Sequence, residues 1–181
     1  MQTLGVGIAG YGFIGKVHTL SFLNLPFFYR PLPVNLKMVG ACSSPVADAE
    51  TAVSQAGFEF ATEDYRDLIK RKDIDIISVC APNYLHKDII TEALQAGKHV
   101  NCEKPLAMNL AEAKQVLDCA NSYPELISQM CFEYRYAPVT IRAKQLITEG
   151  FPGKIYSVRA VYLHSGNADP GRPTYWKIQK K

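Results

Sequence analysis

The stretch "HVNCEKPLAMN", residues 99–109, sets a glutamate, a lysine and a proline in a row at the end of an apolar run. Lys104 is the residue of interest. Hydride transfer to or from a carbinol carbon needs a partner for the hydroxyl proton. A lysine serves if desolvation lowers its pKa from about 10.4 towards neutrality, and while charged it can still polarise a carbonyl oxygen. The alternative is a solvated turn lysine. Pro105 restricts the backbone just after it, and a cis bond is available there.

A second chemical signal lies near the N-terminus. "GIAGYGFIG" holds Gly10, Gly12 and Gly15 in a G-x-G-x-x-G spacing, with Tyr11, Phe13 and Ile14 between them. The spacing alone is weak evidence. Here it follows a strand-like run and opens a helix-like one, which is the context a dinucleotide requires. Gly10 allows the tight turn, Gly12 lets backbone approach a pyrophosphate, and Gly15 lets helix pack on strand. The amides of Phe13 and Ile14 then face the phosphates at the positive end of a helix. A glycine-rich turn without a ligand is the other option, and a methyltransferase loop is the nearest rival.

These groups need elements to hold them. Strand-like runs fall near residues 4–9, 36–42, 58–61, 74–80, 98–102 and 126–131. Helical spacing covers about 14–25, 47–56, 65–70, 85–96 and 110–121, with Gly97 as a stop and Asn109/Glu112 as a capping box. Near-continuous apolar strands alternating with helices predict an α/β fold: a Rossmann-type, doubly wound parallel sheet. Ligands then bind beyond the carboxyl ends of the strands. Three polar clusters fall there: the glycine loop, "CAPNYLH" with Ala81, Pro82, Asn83 and His86, and Glu103–Lys104–Pro105. All three are expected to line one crevice. His86 either satisfies the first turn of its helix or faces the cofactor. His18 and His99 read as structural.

The second strand ends "GACSSP", with no acid at Ala41, Cys42, Ser43 or Ser44. An NAD site usually carries one there for the ribose hydroxyls. Ser43 and Ser44 can bond a hydroxyl or a phosphate, so both NAD and NADP stay open, leaning to NADP.

"LNLPFFYRPLPVN" interrupts the pattern as a loop, whose aromatics either pack on the sheet edge or form a lip. After Cys131 the rhythm changes. A helix is expected over 138–149 and a long strand over 154–164, followed by a loop-like tail ending in "WKIQKK". These predict a dinucleotide-binding domain over 1–129 and, over 130–181, the incomplete start of an α+β substrate or oligomerisation domain. His164 lies where it could approach a substrate. An unpaired strand is costly, so the 154–164 strand is expected to pair, for instance with its copy in a homo-oligomer.

The 181 residues are 48% hydrophobic and 20% charged with net charge +3, too mild and too dispersed for nucleic acid. Five cysteines, an odd number with no C-x-x-C, argue against a disulfide framework or structural zinc. With no signal-peptide pattern and no apolar run of roughly 18 residues, the expectation is a cytoplasmic protein without a membrane partner.

Taken together, "GIAGYGFIGKVH", "VCAPNYLHKDIITEALQAGKHVNCEKPLA" and "CFEYRYAPVTIRAKQLITEGFPGKI" resemble the Gfo/Idh/MocA oxidoreductase family. The resemblance implies that Lys104 is the catalytic-site lysine and that Pro82, Asn83, His86 and Glu103 surround the cofactor. It places Arg135 near the active site, at the start of the second domain. It implies an NAD(P)-dependent oxidoreductase acting on a sugar, cyclitol or related polyol. The family's D-x-x-x-H segment, expected after a tryptophan like Trp176, is not in the sequence. A non-catalytic dinucleotide-binding module or partner subunit is therefore the alternative.

Overall fold

The structure is a computed structural model that describes residues 1–165 and 171. The tail with Trp176 and "WKIQKK" lies outside the described residues. The chain divides into two compact units, Met1–Phe132 and Glu133–Lys181.

In the first unit, strands and helices alternate: β1 (Thr3–Ala9), α1 (Phe13–Phe28), β2 (Asn35–Cys42), α2 (Val46–Ala56), β3 (Phe60–Thr62), α3 (Tyr65–Lys70), β4 (Ile76–Val79), α4 (His86–Gln95), β5 (His99–Glu103), α5 (Leu110–Asn121) and β6 (Ser128–Cys131). The six strands form one sheet in the order β3-β2-β1-β4-β5-β6. Every pairing is parallel. The order reverses between β1 and β4, which opens a crevice at their carboxyl ends.

Successive strand residues point to opposite faces, and the core divides accordingly. Val39, Ile77 and Val79 join Leu68, Ile89 and Leu94 in one buried cluster. Val6, Ile8, Met38 and Ala41 join Ala49, Ala52 and Phe58 in the other. Burying each large aliphatic side chain contributes about 1.5–3 kcal/mol. The two faces together hold the strand ends, and the loops on them, at fixed positions.

The helix signals act as read. Asn109 Oδ1 accepts the Glu112 amide at 3.0 Å. Glu112 Oε2 takes the Met108 amide at 3.0 Å, one residue earlier than a reciprocal box requires. Gly57, at φ 74°, ends α2 in the left-handed region.

Two expectations fail. The "LNLPFFYRPLPVN" segment is not a loop throughout, because α1 continues to Phe28 with Pro26 inside it. The Tyr29 amide still reaches the Leu25 carbonyl at 3.0 Å, so the helix tolerates the proline in its last turn. Phe27, Phe28 and Tyr29 are exposed rather than packed on the sheet edge.

The second unit holds a short 3-10 helix (Glu133–Tyr136) and α6 (Pro138–Thr148), which starts on a proline at its first position. The strand expected over 154–164 does not form. These residues are exposed and belong to no strand or helix. A strand exists only through a partner's N–H and C=O groups, and among the described residues of this unit there is no other strand.

Candidate functional site

Three loops at the carboxyl ends of β1, β4 and β5 meet on one side of the sheet. The glycine loop comes first. Gly10 has φ +100°, and a Cβ there would lie 2.4 Å from the Ala81 amide nitrogen. The loop therefore rests directly on the Cys80–Ala81 turn, and its own amide bonds the Cys42 carbonyl at 2.8 Å. A Cβ on Gly15 would meet the Gly10 carbonyl oxygen at 2.2 Å, while one on Gly12 would meet nothing within 4 Å. Gly10 and Gly15 are thus glycine for packing, and Gly12 faces open space. Gly12 is also the N-cap of α1 and offers no side-chain cap. The helix ladder begins with Lys16 N–H on Gly12 C=O, so the amides of Phe13, Ile14 and Gly15 lie outside it. An open cradle, unladdered amides and a first turn of α1 without an acidic residue fit a pyrophosphate. Tyr11 contributes only backbone here, since its ring packs edge-on against Phe58 at 5.7 Å in the core.

His86 ties the second loop to the third. It is 1% exposed. Nδ1 lies 2.7 Å from the Pro105 carbonyl oxygen and Nε2 lies 2.9 Å from that of Ala81. A carbonyl can only accept, so both contacts need an N–H from the ring. The neutral imidazole has one and the protonated ring has two. The side chain thus clamps the Ala81 and Lys104–Pro105 turns and presents neither nitrogen to the crevice. Replacing His86 with leucine removes the ring N–H and the polar contacts that tie the two carbonyls together. Urea unfolding is expected to show a loss of about 1–3 kcal/mol with an unchanged m value.

Lys104 is exposed, follows β5, and precedes a cis bond to Pro105. Glu103 is held by two contacts. Its Oε2 accepts the Lys104 amide at 3.3 Å, and its Oε1 lies 3.2 Å from His18 Nε2. His18 Nδ1 lies 2.7 Å from the Oγ of fully buried Ser78. In the neutral tautomer that serves both partners, Nε2–H donates to the carboxylate and Nδ1 accepts from the serine hydroxyl. Ser78 is too deeply buried to meet a substrate, so this chain orients rather than attacks.

The end of β2 holds Ser43, half-buried, and Ser44, exposed. The Ser43 amide bonds the Thr62 carbonyl at 3.0 Å, which brings the β3–α3 loop alongside. Burial chiefly, then the charges of Asp64, Asp67 and Glu63, push the Cys42 thiol up to about 12. Negative charge absent from the end of β2 itself is thus present beside it, on the loop that follows β3. Glu63 Oε1 accepts the Val46 amide at the start of α2, at 2.9 Å. Asp64 caps α3 by accepting the Arg66 amide at 2.9 Å.

The first unit brings together Gly10–Gly15, Ala81, Pro82, Asn83, His86, Glu103 and Lys104. Arg135 and His164 belong to the second unit, where both are exposed. His18, Ser78, Glu63 and Asp64 are the residues that sequence reasoning passed over. A serine inside the apolar β4 run was the signal available for the Ser78–His18 pair. The acids carried none, because β3 lies beside β2 only in the fold.

A six-stranded parallel sheet in this order, with an open glycine cradle at its switch point, defines a dinucleotide-binding α/β domain. Comparisons with known proteins narrow the class. Residues 4–129 match the Gfo/Idh/MocA family, described as an oxidoreductase family with an NAD-binding Rossmann fold. The levoglucosan dehydrogenase of Pseudarthrobacter phenanthrenivorans is 40% identical over 99% of this chain and 46% of its own length. The inositol 2-dehydrogenase/D-chiro-inositol 3-dehydrogenase of Lactiplantibacillus plantarum is 31% identical over 82% of this chain and 41% of its own. A levoglucosan dehydrogenase solved with NADH and levoglucosan superposes with a TM-score of 0.92 at 37% identity, covering 98% of this chain and 48% of that one. The chain belongs to the Gfo/Idh/MocA oxidoreductase family. It spans about half the length of the curated relatives it matches. No helix among the described residues is long and apolar enough to cross a membrane.

Proposed function

We propose that this chain supplies the dinucleotide site and the proton-handling lysine of an NAD-dependent dehydrogenase acting on a sugar or cyclitol. The observation that carries the reading is the clamp. His86 fixes the Lys104 turn to the Ala81 turn, and that turn abuts Gly10. The phosphate cradle and the lysine thus sit on one rigid set of strand ends. When bound, the nicotinamide supplies the acceptor or donor of the hydride. Lys104 takes the proton of the substrate hydroxyl during oxidation and returns it during reduction. Pro82 and Asn83 border the nicotinamide half of the crevice, and Glu103 fixes the backbone that carries Lys104. Arg135 and His164 are proposed on the substrate side. The choice of substrate class rests on the relatives, which are named for levoglucosan and inositol. The homo-oligomer is proposed too, and light scattering of the purified protein decides it.

The direct experiment is a fluorescence titration with NADH. Saturable binding that weakens on Gly12→Val supports the reading. Unchanged NADH fluorescence together with S-adenosylmethionine binding overturns it in favour of a methyltransferase-like domain.

We favour NAD over NADP. The lean to NADP drawn from "GACSSP" is not supported by the relatives, whose solved complexes hold NADH. Glu63 and Asp64 put negative charge beside the β2 end, where a 2′-phosphate would be repelled. The isosteric pair Glu63→Gln and Asp64→Asn keeps both capping acceptors and removes both charges. It is expected to narrow the NADH-over-NADPH affinity ratio roughly tenfold at low salt, and less at high salt. An unchanged ratio removes these acids as the determinants.

A further inference from the structure

We propose that His18, Glu103 and Cys131 form a binding site for one thiophilic divalent cation, with Zn2+ the natural occupant of such a donor set. His18 Nε2 lies 3.2 Å from Glu103 Oε1 and 4.0 Å from Cys131 Sγ. One ligand atom from each of the three residues falls within 4.8 Å of the others. Tetrahedral zinc with bonds of about 2.0–2.3 Å sets its ligand atoms roughly 3.3–3.7 Å apart. The His18–Glu103 spacing already suits such a site, and Cys131 Sγ has to move in towards the other two ligand atoms.

The fold preassembles this set from three elements. Glu103 and Cys131 are paired in register across β5 and β6, and His18 descends from α1. Neighbouring groups also suit a metal. The contact of Ser78 with His18 Nδ1 is the outer-sphere contact that a zinc-bound imidazole uses to hold its ring. With Nε2 on the metal, the ring proton moves to Nδ1 and is donated to the serine oxygen. Cys131 Sγ lies 3.2 Å from Asn101 Oδ1, and a rotation of that amide offers its N–H groups to a thiolate. On coordination a metal–sulfur bond replaces the S–H bond and the proton leaves to solvent. A thiolate, a carboxylate and a neutral imidazole then balance the 2+ charge of the cation. This leaves a fourth position open, as in three-ligand zinc sites.

The neighbouring thiols do not compete. Burial chiefly holds Cys80 and Cys102 well above the ordinary thiol range. The His18 and Glu103 side chains are mostly buried yet reachable, at 12% and 15% exposure. The site needs neither nucleotide nor substrate for its assembly, but it shares Glu103 with the Lys104 turn. Occupation would engage the carboxylate that now holds the Lys104 amide.

The test is a titration of the purified protein with Cd2+ alone, read by the ultraviolet thiolate-to-cadmium charge-transfer band. One equivalent is expected to develop the band. Cys131→Ser is expected to abolish it, and His18→Gln to weaken binding at least tenfold, with circular dichroism verifying the fold of each variant. Zn2+ competition against a chromophoric chelator, on the unsubstituted protein, should return a stoichiometry near one. A stoichiometry of zero overturns the proposal, as does a band that survives in Cys131→Ser.

Discussion

Replacing Lys104 with alanine is expected to lower turnover by about 10²–10⁴-fold while leaving NADH affinity nearly unchanged. That range is what positioned acid–base groups contribute. The split follows from how the turn is built. The Lys104 amide is held by Glu103 Oε2, and the Pro105 carbonyl by His86. Neither bond uses the lysine side chain. Truncation at Cβ therefore removes the ammonium and leaves the backbone path, the Ala81 turn and the glycine cradle in place. Lys104→Arg sharpens the test, because arginine keeps the charge but does not deprotonate. If the lysine only polarises a carbonyl, arginine recovers much of the rate. If it exchanges the proton, arginine stays near the alanine level. Steady-state polyol oxidation with a parallel NADH titration reads both quantities, and alanine turnover equal to that of the unsubstituted protein would remove Lys104 from the chemistry.

Local rules explain why so much of the architecture was legible. β1, β2 and β4 carry consecutive buried residues and read as apolar runs, so their positions and the parallel sheet followed directly, while β5 buries only Val100 and Cys102. The boundaries of α3 and α5 coincide with the expected ones, and for α5 the Asn109/Glu112 cap is the signal that the sequence offers. Asp64 and Asn109 are caps whose side chains accept amides two and three residues on. The same rule failed over 154–164. Alternation there resembles a strand, but no property internal to a segment provides its ladder partner. The 23–35 segment failed for a different reason. Pro26 reads as a breaker, yet a helix can absorb a proline near its end, where the neighbouring turns continue their bonds.

The site divides in a similar way. Gly10, Gly12 and Gly15 were legible because each role depends on a missing side chain at a fixed spacing. The Lys104 turn was legible because strand ends of a parallel sheet converge. The non-local contacts were not. His18 is 85 residues from Glu103 and 60 from Ser78. Its helical spacing reads as a structural position, and only the sheet order puts it over β4 and β5. The cofactor choice shows the clearest limit. "GACSSP" lacks an acid, and a strand read alone leans to NADP. The pairing of β2 with β3 brings Glu63 and Asp64 to the same place. Charge at a site is a property of neighbours in space.

The glycine loop carries the second large effect. Gly10→Ala is expected to cost about 3–5 kcal/mol of stability and to abolish measurable NADH binding. Two penalties act at once. A φ of +100° is a conformation that a Cβ disfavours. The new Cβ would also lie 2.4–2.6 Å from the Cys80 carbonyl carbon and the Ala81 amide and Cα. Those atoms are backbone and cannot rotate away, unlike the tip of a long side chain. Ala81 is held in turn by its carbonyl on His86, and Cys80 by its amide on the Ala9 carbonyl at 2.7 Å. Relief therefore means separating β1 from β4 at their carboxyl ends, or shifting the loop off both. Either movement displaces the α1 amides from the phosphates. Gly12→Ala is the internal control. Its Cβ meets nothing within 4 Å, so stability should hold while nucleotide binding falls, because the methyl occupies the space that a pyrophosphate needs. Thermal unfolding with NADH titration separates the two cases. If Gly10→Ala melts with the unsubstituted protein and still binds NADH, the loop does not rest on the Ala81 turn, and the shared frame of cradle and lysine is lost with it.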